Sequence, residues 1–349
     1  MNLKRSKETS RKSGVELLRL LCMYLILLEH ALGHGYHILN LPGGIHVSDF
    51  LFSFCVCAVN TFVLISGYFG LQLKLKSFYK LFSSCAFYGL LGYVIHLFVD
   101  GQHIGRSLLT NGVFVFSNPP GWWFIKQYVF LLLLSPILNY AVESMNRERF
   151  RLALVILLIL SLYFGLLWHD PVNSSGYCLM QFVFLYFIGR YMKIYSVSCR
   201  SSLRSFVGYV VCGILLFVLF FVGKILSSDF PLFDYGHYNH PLVILAAVFL
   251  FQSFNLLQIS SKSVNCMSSS ALAVYLITEN NYIKGWYYSL LLKLVGPLDG
   301  FNRYLLLLLV LLLVLCFCIT VDKVRLFFCR PMDKAAERFC EKWQQSIPA

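Results

Sequence analysis

What most constrains this chain is a succession of apolar runs that fills it from residue 15 to residue 321. A helical bilayer crossing takes about 20 apolar residues. About ten candidates follow one another, at 15–33, 50–71, 78–99, 122–142, 152–168, 177–194, 206–226, 241–257, 271–292 and 304–321. With 58% hydrophobic residues, 13% charged and 32 Phe, the soluble, disordered and collagen-like classes drop out. The expected fold is an all-α, polytopic integral membrane bundle of about ten transmembrane helices.

The first run follows Arg5, Arg11 and Lys12 in the manner of a signal peptide, but no small-residue cleavage site comes after it. It is read as a retained first helix. Residues 1–14 then form a basic tail, 15–321 the membrane domain and 322–349 a basic tail that is a short helix at most. There is no internal repeat and no soluble domain, and the longest break, 100–121, is apolar enough at Val113–Phe116 to lie on or dip into the outer surface.

A net charge of +13 invites a nucleic-acid reading, but the cations sit in short clusters between apolar runs instead of one stripe. Clusters of that kind set topology, because positive loops stay in the cytoplasm. With the N-terminus inside, 21 of the 29 Lys and Arg are cytoplasmic (Lys4–Lys12, Lys74–Lys80, Arg147–Arg151, Lys193–Arg204, Lys262 and Lys323–Lys342). Only Arg106, Lys293 and Arg303 fall outside. Both termini are therefore expected in the cytoplasm. Trp122, Trp123, Trp168 and Trp286 then land near outer helix ends, where Trp favours the interface. The cysteines, among them Cys22, Cys55, Cys57, Cys85, Cys212, Cys266, Cys316 and Cys318, lie in or beside apolar runs and read as small hydrophobes. No CxxC occurs, so no metal site is expected.

A charge inside the bilayer is expensive, which makes intramembrane ionisable residues functional candidates. Arg190 and Lys224 lie near helix ends and can snorkel to the headgroups. Lys126, beside Gln127 and one turn from the outer edge, either snorkels or faces a pocket. The signal concentrates in the first helix, where Arg19 and His30 stand 11 residues apart. Eleven residues make three turns plus about 20°, so the two share one face roughly 16 Å apart along the axis. His34 and His37 extend that face if the helix continues past Gly33. Glu29 is turned about 100° away and pairs with another helix or meets the headgroups. In the ninth run Thr278, Glu279, Asn280, Asn281 and Lys284 form a polar cluster that must face the bundle interior, as a structural knot or as the lining of a substrate cavity. Ser66, Gly67 and Gly70 read as small residues that let helices pack closely.

Several segments carry a resemblance: Gly14-Val15-Glu16-Leu17-Leu18-Arg19 with His30 eleven residues on, Val59-Asn60-Thr61-Phe62-Val63-Leu64-Ile65-Ser66-Gly67-Tyr68-Phe69, and Trp122-Trp123-Phe124-Ile125 running to Leu134-Ser135-Pro136-Ile137-Leu138. Phe187-Ile188-Gly189-Arg190-Tyr191 and Ser269-Ser270-Ala271-Leu272-Ala273-Val274-Tyr275-Leu276-Ile277 continue it, in order, over nearly the whole chain. Together they resemble acyltransferase family 3, the integral-membrane O-acyltransferases of bacterial surface polysaccharides. The resemblance implies transfer of an acyl group, usually acetyl, from acyl-CoA to a hydroxyl of an exported or lipid-linked glycan, in the bacterial cytoplasmic membrane. Acyl-CoA is then a co-substrate, with no permanently bound cofactor. It implies that Arg19 and His30 are the functional pair, Arg19 on the CoA phosphates and His30 handling the proton. Where many members carry an Arg pair after the second helix, this chain has Lys74, Lys76 and Lys80, expected as donor-binding point charges. The ninth helix often reads Tyr-Leu-Ile-His-Glu, and here Thr278 stands at the His position while Glu279 remains. Glu279, Asn280, Lys126 and Trp123 are expected to orient the His or the acceptor. A transporter or flippase of a lipid-linked glycan fits the helix count as well, but lacks the inverted repeat many transporters show.

Overall fold

A computed structural model of the protein describes residues 12–33, 46–100, 107–117 and 121–346. The cations before Lys12, and with them His34, His37, His103 and Arg106, lie outside the described residues. Among the described residues every regular element is a helix. The order is α1 (Ser13–Leu32), α2 (Val47–Cys55), α3 (Ala58–Phe69), α4 (Leu75–Asp100), α5 (Ser107–Gly112), α6 (Trp123–Ser144), α7 (Arg147–Ile159), α8 (Leu179–Ile194), α9 (Ser202–Leu226), α10 (Pro241–Asn255), α11 (Lys262–Ser268), α12 (Ala271–Thr278), α13 (Lys284–Val295) and α14 (Gly300–Ser346).

Among the described residues, six helical stretches are long and apolar enough to cross a membrane: Val47–Phe69, Leu75–Val99, Trp123–Ser144, Arg147–Leu167, Ser202–Leu226 and Gly300–Phe339. The other four expected runs fall short, each for a visible reason. α1 has 20 residues but carries Glu16, Arg19 and Glu29. α8 and α10 have only 16 and 15 residues. The ninth run, expected as one helix over 271–292, is two helices, α12 and α13, separated by residues 279–283.

The charges of α1 explain its place. It cannot face lipid, so it runs through the bundle packed against α2, α3, α10, α11, α12 and α14, with Glu16, Glu29 and His30 all buried. The tail after Val321, expected as a short helix at most, continues α14 to Ser346. A buried pair holds it, Arg325 Nε donating to Asp322 Oδ1 at 2.8 Å while Tyr88 donates to the same oxygen at 2.9 Å. Trp122, at the N-terminal cap of α6, is 2% exposed and sits in the core, whereas Trp168 and Trp286 are 68% and 72% exposed.

Helices α3 and α8 approach closely. A Cβ on Gly67 would stand 2.5 Å from the Tyr186 carbonyl oxygen, and one on Gly189 2.6 Å from that of Leu64. These glycines let the two backbones touch. Gly189→Ala is therefore expected to destabilise the bundle by about 1–3 kcal/mol, read as a lower melting temperature of the detergent-solubilised chain. An unchanged melting temperature would show that the helices tolerate separation.

Candidate active site

Four residues of α1, Arg19, Met23, Ile26 and His30, are spaced 4, 3 and 4 apart and form one stripe that lines an internal cavity of about 230 Å³. The facing walls are Val59, Phe62 and Ser66 of α3, Trp123, Phe124, Ile125 and Tyr128 of α6, and Ser268, Ser269 and Tyr275 around α11 and α12. Arg19 and His30 thus share a helix face and also line one cavity.

His30 is 3% exposed, with Nδ1 placed 3.1 Å from Glu279 Oε1. Tyr288 donates to the same carboxylate oxygen at 2.7 Å. The break between α12 and α13 is what brings Glu279 here. The Asn280 side chain donates to the Tyr88 carbonyl at 3.0 Å and accepts from the Tyr282 amide at 3.0 Å, giving the unwound turn the partners that a continuous helix would have supplied. Gly92 makes room for it on α4, since a Cβ there would lie 2.5 Å from Asn280 Nδ2. Asn280 thus pins the break, and Glu279 stands beside the imidazole. Thr278 donates to the Val274 carbonyl within its own helix at 2.9 Å. An imidazole held at Nδ1 by a carboxylate, itself held by a tyrosine, is the arrangement of a general base that works through its other nitrogen.

At the other end of the stripe Arg19 Nη1 lies 2.5 Å from Glu16 Oε1, and Glu16 Oε2 accepts from Ser268 at 2.5 Å. About a third of the Arg19 side chain is exposed (32%), so it meets both the cavity and the solvent. A second and larger cavity of about 650 Å³ adjoins the first, sharing Leu81, Tyr128, Ser269 and Leu272 as common walls. Lys74 and Lys80 line it. Lys76 is placed differently: with Lys80 it grips Glu337 of α14, at 3.2 and 2.9 Å. Lys126 is half-buried and belongs to neither cavity wall, whereas Trp123 lines the smaller cavity and packs on Tyr177 and Tyr238 with ring centroids 4.8 and 5.8 Å apart. Glu29 is buried and accepts from the Tyr238 hydroxyl at 2.8 Å.

Sequence reasoning missed Glu16, Tyr288 and the lining role of Ser66, whose Oγ is 3.4 Å from the Tyr128 hydroxyl. Glu16 carried a usable signal, a carboxylate three residues before an arginine on a helix. Tyr288 carried none, because only the break after α12 turns it toward Glu279.

Among the described residues, six helical stretches of membrane-spanning length and a charged helix packed within the bundle, with an imidazole beside a carboxylate in the wall of a cavity between helices, define a multi-pass membrane protein with a polar site among its helices. The particular family follows from comparison with known proteins. The family model of the acyltransferase domain, acyltransferase family 3, matches residues 12–322, and the chain belongs to that family. It is a membrane acyltransferase. No curated protein and no solved structure matches it.

Proposed function

We propose that the protein transfers an acyl group, acetyl in the first instance, from acyl-CoA to a hydroxyl of a cell-surface or lipid-linked polysaccharide, in the bacterial cytoplasmic membrane. The carrying observation is that Arg19 and His30, eleven residues apart on α1, line one cavity, that a lysine-lined vestibule adjoins this cavity, and that His30 stands beside Glu279. The element order supports about ten crossings with both termini inside. α1, the α2–α3 pair, α4, α6, α7, α8, α9, α10, the α12–α13 pair and α14 each supply one, the broken α12–α13 crossing being tolerated where it lines a protein cavity.

In this reading the CoA phosphates rest at the vestibule on Arg19, Lys74 and Lys80, and the thioester enters the smaller cavity. His30 Nε2 takes the proton of the acceptor hydroxyl as its oxygen attacks the thioester carbonyl carbon. The C–S bond then breaks, the proton passes to the departing sulfur, and the products are an O-acyl ester and CoA. Glu279 fixes the imidazole tautomer and stabilises the imidazolium that forms between the two proton transfers.

The reading assigns Arg19 and His30 different kinetic signatures. Arg19→Ala loses charge-assisted bonds to phosphate, each worth about 1.5–3 kcal/mol, and is expected to raise the KM for acetyl-CoA about 10- to 100-fold. The assay is transfer of labelled acetyl to glycan in membranes containing the chain. A glycan moved across the membrane with no acyl-CoA dependence would replace this reading by a transporter.

A further inference from the structure

The larger cavity has a charged wall that the donor residues above leave unexplained. Besides Lys74 and Lys80 it is lined by Asp322 and Arg325 of α14. Arg325 is buried, its guanidinium fixed by Asp322, by a 3.2 Å bond from Nη2 to Ser84 and by the ring faces of Phe87 and Tyr88 at 5.8 and 5.7 Å. Three cations against one carboxylate leave this wall positive. Farther along the same helix, Glu337 places one carboxylate between Lys76 and Lys80, which stand one helical turn apart on α4. That spacing suits a single anionic group, and a salt bridge this exposed holds weakly.

Resting on the acyl-CoA reading, we infer that α14 from Asp322 onward completes the donor site: Arg325 binds the donor's phosphates, and Glu337 occupies Lys76 and Lys80 until those phosphates displace it. A guanidinium locked in plane suits phosphate oxygens better than a mobile lysine does. A phosphate also carries more charge than the carboxylate it would replace. Lys323 ties this helix to the catalytic cavity, donating to the Cys266 carbonyl and, at 2.9 Å, to Ser269, a wall residue of both cavities. The extension thus shapes the passage between the donor's phosphates and its thioester.

The test is equilibrium binding of CoA and of pantetheine, which lacks the phosphates, to the full-length chain in lipid nanodiscs. Wild type is expected to prefer CoA. Arg325→Gln is expected to weaken CoA binding at least about 10-fold and leave pantetheine unchanged, since the lost contact is a charge-assisted one. Glu337→Gln, which keeps the side chain's shape at a partly exposed position, is expected to tighten CoA about two- to fivefold. Equal losses for both ligands in Arg325→Gln, or CoA binding unchanged or weaker in Glu337→Gln, overturn the inference alone. A wild-type chain that binds CoA no better than pantetheine overturns the acyl-CoA reading and the inference with it.

Discussion

His30→Ala, inserted in the membrane at the wild-type level, is expected to transfer acyl groups about 10²- to 10⁴-fold more slowly, the range general-base catalysis contributes. The expectation rests on position. The imidazole is buried in the wall of the smaller cavity, and Glu279 Oε1 lies 3.1 Å from its Nδ1. Removing the ring leaves the carboxylate its 2.7 Å bond from Tyr288, so the bundle has a way to absorb the loss. Chain abundance and melting temperature are to be measured beside the rate, so that lost chemistry is separated from lost protein. A variant that is well folded and fully active would remove His30 from the reaction.

Glu279→Gln is expected to produce a fall of the same order, about 10²- to 10⁴-fold, carried by kcat and with the KM for acyl-CoA near wild type. The substitution keeps an oxygen for Tyr288 and nearly the same volume, but removes the charge that favours the imidazolium. KM is spared because Arg19 lies eleven residues from His30 along α1 and Lys74 and Lys80 line the adjoining cavity. This is the opposite of the Arg19→Ala signature. Combining His30→Ala with Glu279→Gln is expected to cost little more than His30→Ala alone, because the carboxylate acts through the ring it orients. A raised KM with unchanged kcat would place Glu279 in donor binding instead.

The face of α1 was legible in the sequence because it depends only on helical periodicity, and eleven residues bring Arg19 and His30 nearly into line. That Thr278, Glu279 and Asn280 are buried was legible as well, since such a cluster is costly against lipid. The partner of His30 was not. It depends on the helix ending at Thr278, and the apolar residues on both sides of residues 279–283 read as one continuous span. Asn280, expected to orient the His or the acceptor, donates to the Tyr88 carbonyl across that break, a contact the sequence does not reveal. Lys76 was grouped with its neighbours by charge, while its direction toward Glu337 depends on a helix distant in sequence. The length of α14 was hidden for a related reason. A basic, mixed segment after an apolar span resembles a tail, and its packing shows in contacts distant in sequence, such as the Asp322–Arg325 pair with Tyr88 and Glu337 with Lys76 and Lys80.

The most direct test of the central claim is incorporation of labelled acetyl from acetyl-CoA into surface glycan, comparing membranes that contain the wild-type chain, the His30→Ala chain or neither. The account predicts alkali-labile ester label with wild type and only background with the other two. Equal label in all three membranes, or none with wild type when donor and acceptor are competent, would contradict it.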